Sequence, residues 1–183
     1  RTLRELYVTD FEIVVKEAYP KSIMSAYNKV NDVYANENHH LLVDILRKEW
    51  GFDGAVVTDW GGSNDHVEGV KNGSTLEMPS PGLGGARKLL KAVAEGSLTE
   101  QEIDLRVDEL LDLVLSTTAA MEKAPRKFDE KAHHELAQRA AAESIVLLKN
   151  EGGILPLKHS KKVTLIGDFA LTPRYQGAGS SMV

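Results

Sequence analysis

An α/β fold, a parallel sheet covered by helices, is predicted by three observations. Ala55, Val56, Val57 and Thr58 form an apolar run without polar alternation, which suits a strand buried on both faces. A short strand at 22–26 precedes this run by one helical pattern, and a further candidate at 75–78 follows it by another. Strand and helix units in succession are the local grammar of a parallel sheet or barrel. Three strands cannot close a barrel.

Leu3, Leu6, Tyr7, Phe11, Val14 and Val15 recur at three- and four-residue steps, predicting an opening helix that lays one apolar stripe on a core and ends near Pro20. This helical pattern begins directly after Arg1, with no initiator Met or signal segment, and the chain stops in a Gly/Ser loop, so an internal piece of a longer polypeptide is expected. The strand at 22–26 presents Tyr27 and Asn28 at its end. The segment VNDVYANEN is expected as a loop, and 39–50 as a helix carrying Leu41, Leu42, Ile45 and Leu46 inward. His39 and His40 invite a metal, but neighbours on a helix point about 100° apart and do not readily clamp one ion, so no metal is expected.

After Asp59 the turn GGSNDH opens a helix through about Lys71, and Asn72-Gly73 ends it. Helices are predicted at 84–95 and 99–116, the second opened by a capping box of Thr99 and Glu102, with Leu105, Val107, Leu110, Leu111, Val114 and Leu115 as its apolar face. The charged segment MEKAPRKFDEKA is expected as an exposed linker. A helix over 129–149 has a lower end apolar nearly all round, which predicts burial, and the turn Ile154-Leu155-Pro156-Leu157 leads to a strand at 162–167.

With 42% apolar and 27% charged residues among 183, the composition is that of an ordinary globular protein. A formal charge of −5 and a pI near 5.7, without a polybasic run, argue against nucleic acid or a membrane surface as the main partner. A neutral small molecule fits better. Zero cysteines exclude disulfides, thiolate catalysis and cysteine-based zinc sites, and leave the compartment open between cytoplasm and export. No apolar run approaches the roughly 20 residues needed to span a bilayer.

Asp59 is the residue to explain. An acid just past the C-terminal end of a buried strand sits where α/β barrels keep their chemistry, and it is equally suited to capping the next helix or bonding the amides of Gly61 and Gly62. The wider stretch IMSAYNKVNDVYANENHHLLVDILRKEWGFDGAVVTDW, from Ile23 to Trp60, closely resembles the β-glucosidases of glycoside hydrolase family 3. Met24, Tyr27, Asn28, Glu37, Asn38, Trp50, Gly51, Phe52, Gly54, Thr58, Asp59 and Trp60 fall in order on that family's motifs. Further on, ESIVLLKNE, ILPL and a strand ending in Gly match the start of the family's second domain.

The resemblance implies the C-terminal part of a (β/α)8-type barrel over 1–118, a linker over 119–128, and the start of an α/β sandwich domain over 129–183. It implies retaining hydrolysis of terminal β-D-glucosyl residues, with Asp59 as nucleophile and no cofactor. The acid/base and a Lys-His pair of the family lie outside the stretch, so these residues alone are expected to be inactive. Partners are then a β-glucoside or short oligosaccharide and the remaining segments of the polypeptide, and a homo-oligomer is compatible. Alternatives are an inactive carbohydrate-binding or structural remnant and a β-xylosidase-type specificity. A third reading, an unrelated barrel enzyme for phosphorylated metabolites, lacks a phosphate grip, since the Gly177-Ala178-Gly179-Ser180 loop has no Walker lysine.

Around Asp59 each candidate has two readings. Trp60 is either a sugar-stacking platform, its indole face against the C–H faces of a pyranose, or a core residue. The resemblance favours glucosides, because the family's xylosidase-like branch commonly lacks Trp there. Tyr27 precedes Asp59 by one strand-helix unit, so its hydroxyl is placed to donate to the carboxylate and keep it ionised. Met24 lines either the sugar pocket or the core. Glu68 and Glu77 are competing carboxylates, and the resemblance treats Glu77 as structural. Ser180 is implied as a substrate contact from the second domain.

Overall fold

The computed structural model of the protein describes residues 1–124, 127–159, 162–177 and 179. It divides into two compact units, Arg1–Lys127 and Phe128–Val183. In chain order the first holds a π-wound segment Leu3–Tyr7, α1 (Thr9–Ala18), β1 (Ser22–Met24), β2 (Lys29–Val30), β3 (Val33–Tyr34), a 3-10 turn Ala35–Glu37 and a π-wound helix His40–Glu49. β4 (Ala55–Val57), α2 (His66–Lys71), α3 (Gly82–Ala94) and α4 (Glu100–Lys123) follow.

The sheet is parallel, as the unalternated run at 55–58 predicts. β1 pairs with β4 in the register Ser22 to Ala55, Ile23 to Val56 and Met24 to Val57. On β4's other edge the expected strand at 75–78 is reduced to one parallel bridge, Val57 to Leu76. Its hydrogen bonds explain the shortening. Thr75 and Leu76 donate to the Val56 carbonyl and Thr58 donates back to Leu76, but the next residue with its N–H on this side, Met78, bonds the Thr58 hydroxyl instead, and Pro79 has no N–H to continue.

Strand alternation sends Ile23 and Val56 to one side, where they meet Leu42, Ile45, Leu46, Trp50 and Phe52 in the core. The helix His40–Glu49 therefore carries its apolar residues inward as expected, and Leu41 is partly buried beside them. Gly54 lets the chain enter β4 against β1, since a Cβ there would meet the Lys21 carbonyl oxygen at 2.5 Å. Alternation sends Met24 and Val57 to the opposite side, which is less covered.

Three expectations for this unit are corrected. The opening stripe does not form on one helix, because Val8 (φ −122, ψ −3) breaks the winding between the two segments and changes their phase. Val8 and Val15 reach the core, while Leu6, Tyr7, Phe11 and Val14 are exposed. The segment VNDVYANEN contains a hairpin, β2 against β3, whose turn residues Asn31 and Asp32 both adopt positive φ (49 and 67) as a two-residue hairpin requires. α4 starts with the expected capping box and runs on to Lys123, but its inward face is Ile103, Arg106, Glu109, Leu110 and Leu113, not the stripe through Leu105, Val107 and Leu111, which is exposed.

That inward face is partly ionic. Glu109 accepts from Arg47 Nη2 at 3.0 Å and is ion-paired with Arg106 Nη2 at 3.0 Å, and the Thr75 hydroxyl bonds the same carboxylate. Arg47 also donates to the carbonyls of Gly54 and Gly73 at 3.2 and 2.9 Å, tying α4, the base of β4 and the 73–76 segment together. Burial lowers the pKa of both guanidiniums, and Glu109 opposes the shift in each.

The second unit holds α5 (Glu130–Ser144), opened by an Asp129 cap whose side chain accepts from Ala132 N at 2.9 Å, and a short α6 (Asp168–Leu171). The expected helix stops at Ser144, and Ile145 turns extended (φ −83, ψ 121). Its apolar continuation is exposed, with Leu148 at 92%, so the predicted burial does not occur in this unit. Asn150 closes the expected turn by bonding Leu155 on both backbone atoms. Residues 162–167 form no strand: a strand needs a partner, and none of the described residues of this unit lies in one.

Removing Glu109 would leave two largely buried guanidiniums facing each other. Glu109→Ala is expected to destabilise the protein by about 3 kcal/mol, read as a lowered midpoint in thermal or urea unfolding, with Leu110→Ala on the same face as a comparison. An unchanged midpoint would show that α4 is held by its apolar contacts alone.

Candidate active site

The end of β4 divides two polar side chains between two environments. Thr58 is buried, and its hydroxyl donates to the Met78 carbonyl at 3.0 Å while accepting the Met78 N–H at 2.8 Å. Asp59, the next residue, is half-buried. Its Oδ1 accepts the Trp60 N–H at 2.7 Å and its carbonyl accepts Gly62 N–H at 2.8 Å, so the chain turns sharply over the strand end. Gly61 takes φ +79 in that turn and donates to the Met78 carbonyl at 2.7 Å. The Asp59 carboxylate therefore bonds the Trp60 amide and not those of Gly61 and Gly62, which go to the Met78 and Asp59 carbonyls, and it caps no helix: Asp65 caps α2, accepting from Val67 and Glu68. A carboxylate has about four acceptor sites, so one bond at Oδ1 leaves capacity for chemistry.

Tyr27 arrives from the end of β1. Its hydroxyl donates to the Trp60 carbonyl at 2.6 Å, and it also interacts with the Asp59 carboxylate, the partner expected for it. Loss of hydration raises the pKa of the phenol, and the nearby Asp59 carboxylate raises it further, which keeps the hydroxyl a donor at neutral pH. Gly62 lies against the Tyr27 ring, where a Cβ would stand 3.5 Å from Cδ1 and 3.1 Å from the Asp59 carbonyl oxygen. The indole of Trp60 is 67% exposed and lies outside the core. Asp59, Tyr27 and Trp60 thus form one hydrogen-bonded group across two neighbouring strand ends.

Met24 stands apart from them. It is 60% exposed, pairs with Val57, and borders an apolar groove of about 570 Å³ with Tyr7, Phe11, Ala26 and Asn28, a groove that does not include Asp59 or Trp60. Ser180 lies outside the described residues. His39 and His40 both approach the Asp44 carboxylate, at 3.5 and 3.4 Å.

The loop after Asp59 is held by two acids, Glu37 and Glu77, whose partners no local sequence signal gives. Glu37 Oε1 accepts the consecutive N–H groups of Asn64 and Asp65 at 2.8 and 2.7 Å, across 27 and 28 residues of sequence. Glu77 Oε2 lies 2.6 Å from His66 Nδ1. Each competing carboxylate is therefore engaged: Glu77 with His66, and Glu68 with Lys71 at 3.3 Å and Asn72 at 3.2 Å.

Comparison with known proteins agrees with this frame. Residues 1–113 match the glycosyl hydrolase family 3 N terminal domain. Over the whole chain the sequence is 46% identical to the thermostable beta-glucosidase B of Acetivibrio thermocellus, covering 24% of that protein. It is 44% identical to an exo-alpha-(1->6)-L-arabinopyranosidase of Bifidobacterium longum, covering 25% of it. Among solved structures, the beta-glucosidase of Bifidobacterium adolescentis superimposes with a TM-score of 0.71 at 44% identity, over 97% of this chain and 26% of that one. Beta-glucosidase 3B of Thermotoga neapolitana, in complex with alpha-D-glucose, does so with a TM-score of 0.75 at 36% identity, over 99% and 26%. The chain thus spans about a quarter of the length of the relatives it matches. With its parallel strand ends, its Asp59 turn and these matches, the chain belongs to glycosyl hydrolase family 3.

Proposed function

We propose that this chain is the nucleophile-bearing part of a retaining β-glucosidase that removes terminal β-D-glucosyl residues from β-glucosides and short oligosaccharides. The observation that carries the reading is the group at the strand ends: an acid past a parallel strand, with Trp60 beside it and a tyrosine from the next strand bonded to its peptide. Asp59 attacks the anomeric carbon and forms a glycosyl ester as the bond to the aglycone oxygen breaks and the acid/base protonates that oxygen; water, deprotonated by the same group, then cleaves the ester with net retention. The acid/base partner, needed about 5–5.5 Å from the nucleophile, is the carboxylate that the family resemblance puts outside this stretch. The remaining segments of the polypeptide cover the exposed side of β1 and complete the sugar pocket. Trp60 stacks on the pyranose. No metal or cofactor takes part.

A second glycone is favoured by one observation. A relative almost as similar as the first β-glucosidase is named for L-arabinopyranose, a pyranose without the hydroxymethyl group. Parallel kinetics on aryl β-D-glucoside, β-D-xyloside and α-L-arabinopyranoside decide between them, and the account expects the glucoside to have the highest kcat/KM.

In the complete protein, Asp59→Asn is expected to lower kcat by several orders of magnitude while inhibitor affinity and unfolding midpoint hold, because the lost interaction exists only along the reaction path. A purely turn-forming Asp59 predicts the reverse: a loss of about 1 kcal/mol of stability with activity retained. Trp60→Ala should weaken glucoside or glucose binding by roughly 1–3 kcal/mol, the scale of one aromatic contact, measured as an inhibition constant. Unchanged affinity would remove Trp60 from the sugar site.

A further inference from the structure

The loop from Trp60 to Asp65 joins the candidate nucleophile to α2, and one short segment holds both of its ends. At the near end Leu76 accepts Thr58 N–H, and Met78 accepts Gly61 N–H at 2.7 Å as well as bonding the Thr58 hydroxyl. Between those two residues Glu77 points to the far end, where its Oε2 lies 2.6 Å from Nδ1 of His66, the first residue of α2. The two side chains are 15% and 23% exposed, so water competes weakly for the contact. An ionised carboxylate only accepts, so Nδ1 must carry the proton in this pair. Ser63 Oγ, inside the loop, stands 3.3 Å from the same nitrogen.

We infer that Glu77 and His66 are positioning residues for the nucleophile: they close the loop after Asp59 onto the segment that already holds the strand end, and so fix the carboxylate's direction of attack. The inference rests on the reading of Asp59 as nucleophile. A structural ion pair on a helix surface would have no reason to bridge the segment bonded to Thr58 and Gly61. A reacting carboxylate does, because misplacement by about 1 Å costs on the order of 100-fold in rate.

Steady-state kinetics of the complete protein on an aryl β-glucoside test this, with Asp59→Asn measured alongside. Glu77→Ala and His66→Ala should each lower kcat about 10- to 100-fold with KM changed less than about threefold, and the double variant should be no worse than the poorer single one. Glu77→Gln, whose amide oxygen still accepts the Nδ1 proton, should regain most of the rate. His66→Phe keeps the ring's bulk without the donor, so it carries the test if an alanine variant fails to fold, and its kcat should fall likewise. Wild-type kcat in Glu77→Ala or His66→Phe, or additive losses in the double variant, would overturn the inference. An active Asp59→Asn protein would instead overturn the reading of Asp59, which separates the two failures.

Discussion

Successive residues of a strand point to opposite sides, and at the end of β4 this one constraint assigns Thr58 and Asp59 different tasks. Val56 turns toward the helix His40–Glu49 and its core, and Thr58 continues that buried side. A buried hydroxyl must find partners, and Thr58 finds both of them on the Met78 backbone. The bond ends the third strand after a single bridge and brings the 76–78 segment under the turn that follows Asp59. Asp59, one residue on, falls on the less covered side with Met24 and Val57. A one-residue slip of β4 would exchange the two, burying the acid and exposing the hydroxyl.

From that point the loop is organised by polar bonds rather than apolar burial. Glu37 collects two backbone amides, Tyr27 takes the Trp60 carbonyl, and His66 meets Glu77. Each bond is short and joins residues distant in sequence, so the loop carries little of the freedom its two positive-φ or close-packed glycines would otherwise allow. An attacking carboxylate gains from such restraint, because its geometry is set before the substrate arrives. At the opposite end of the sheet the Arg47–Glu109–Arg106 group fastens α4 below β4, which fits the division of α/β barrels between a reactive C-terminal rim and a stabilising base.

Much of this was legible in the residues. The run Ala55 to Thr58 announced a parallel strand, the Leu42, Ile45 and Leu46 spacing announced its covering helix, and Thr99 with Glu102 announced the start of α4. These signals are local, and local periodicity survives whatever surrounds it. What was misread depends on neighbours. The opening stripe was drawn as continuous because nothing in its spacing marks Val8 as a break. Arg106 and Glu109 were not read as an inward face, since charged residues turn inward only when distant partners such as Arg47 and Thr75 meet them. The hairpin at 29–34 had a signal in Asn31-Asp32, two residues that tolerate positive φ, passed over because its strands are two residues long. At the candidate site, Asp59, Tyr27, Trp60 and Glu37 all stand on the motif, but the motif does not say that Tyr27 also bonds the Trp60 carbonyl or that Glu37 collects the Asn64 and Asp65 amides, and His66 gives no local sign at all.

The central claim, that Asp59 becomes covalently attached to the sugar, is tested most directly by trapping that bond. The complete protein is treated with a 2-deoxy-2-fluoro-β-glucoside bearing a good leaving group, which slows release of the glycosyl ester, and digested for peptide mass spectrometry. The account predicts one labelled peptide, carrying the fluoroglucosyl mass on Asp59, with activity lost in step with labelling and then recovered as the ester turns over. A label on any other residue, or inactivation without a covalent adduct, would contradict it.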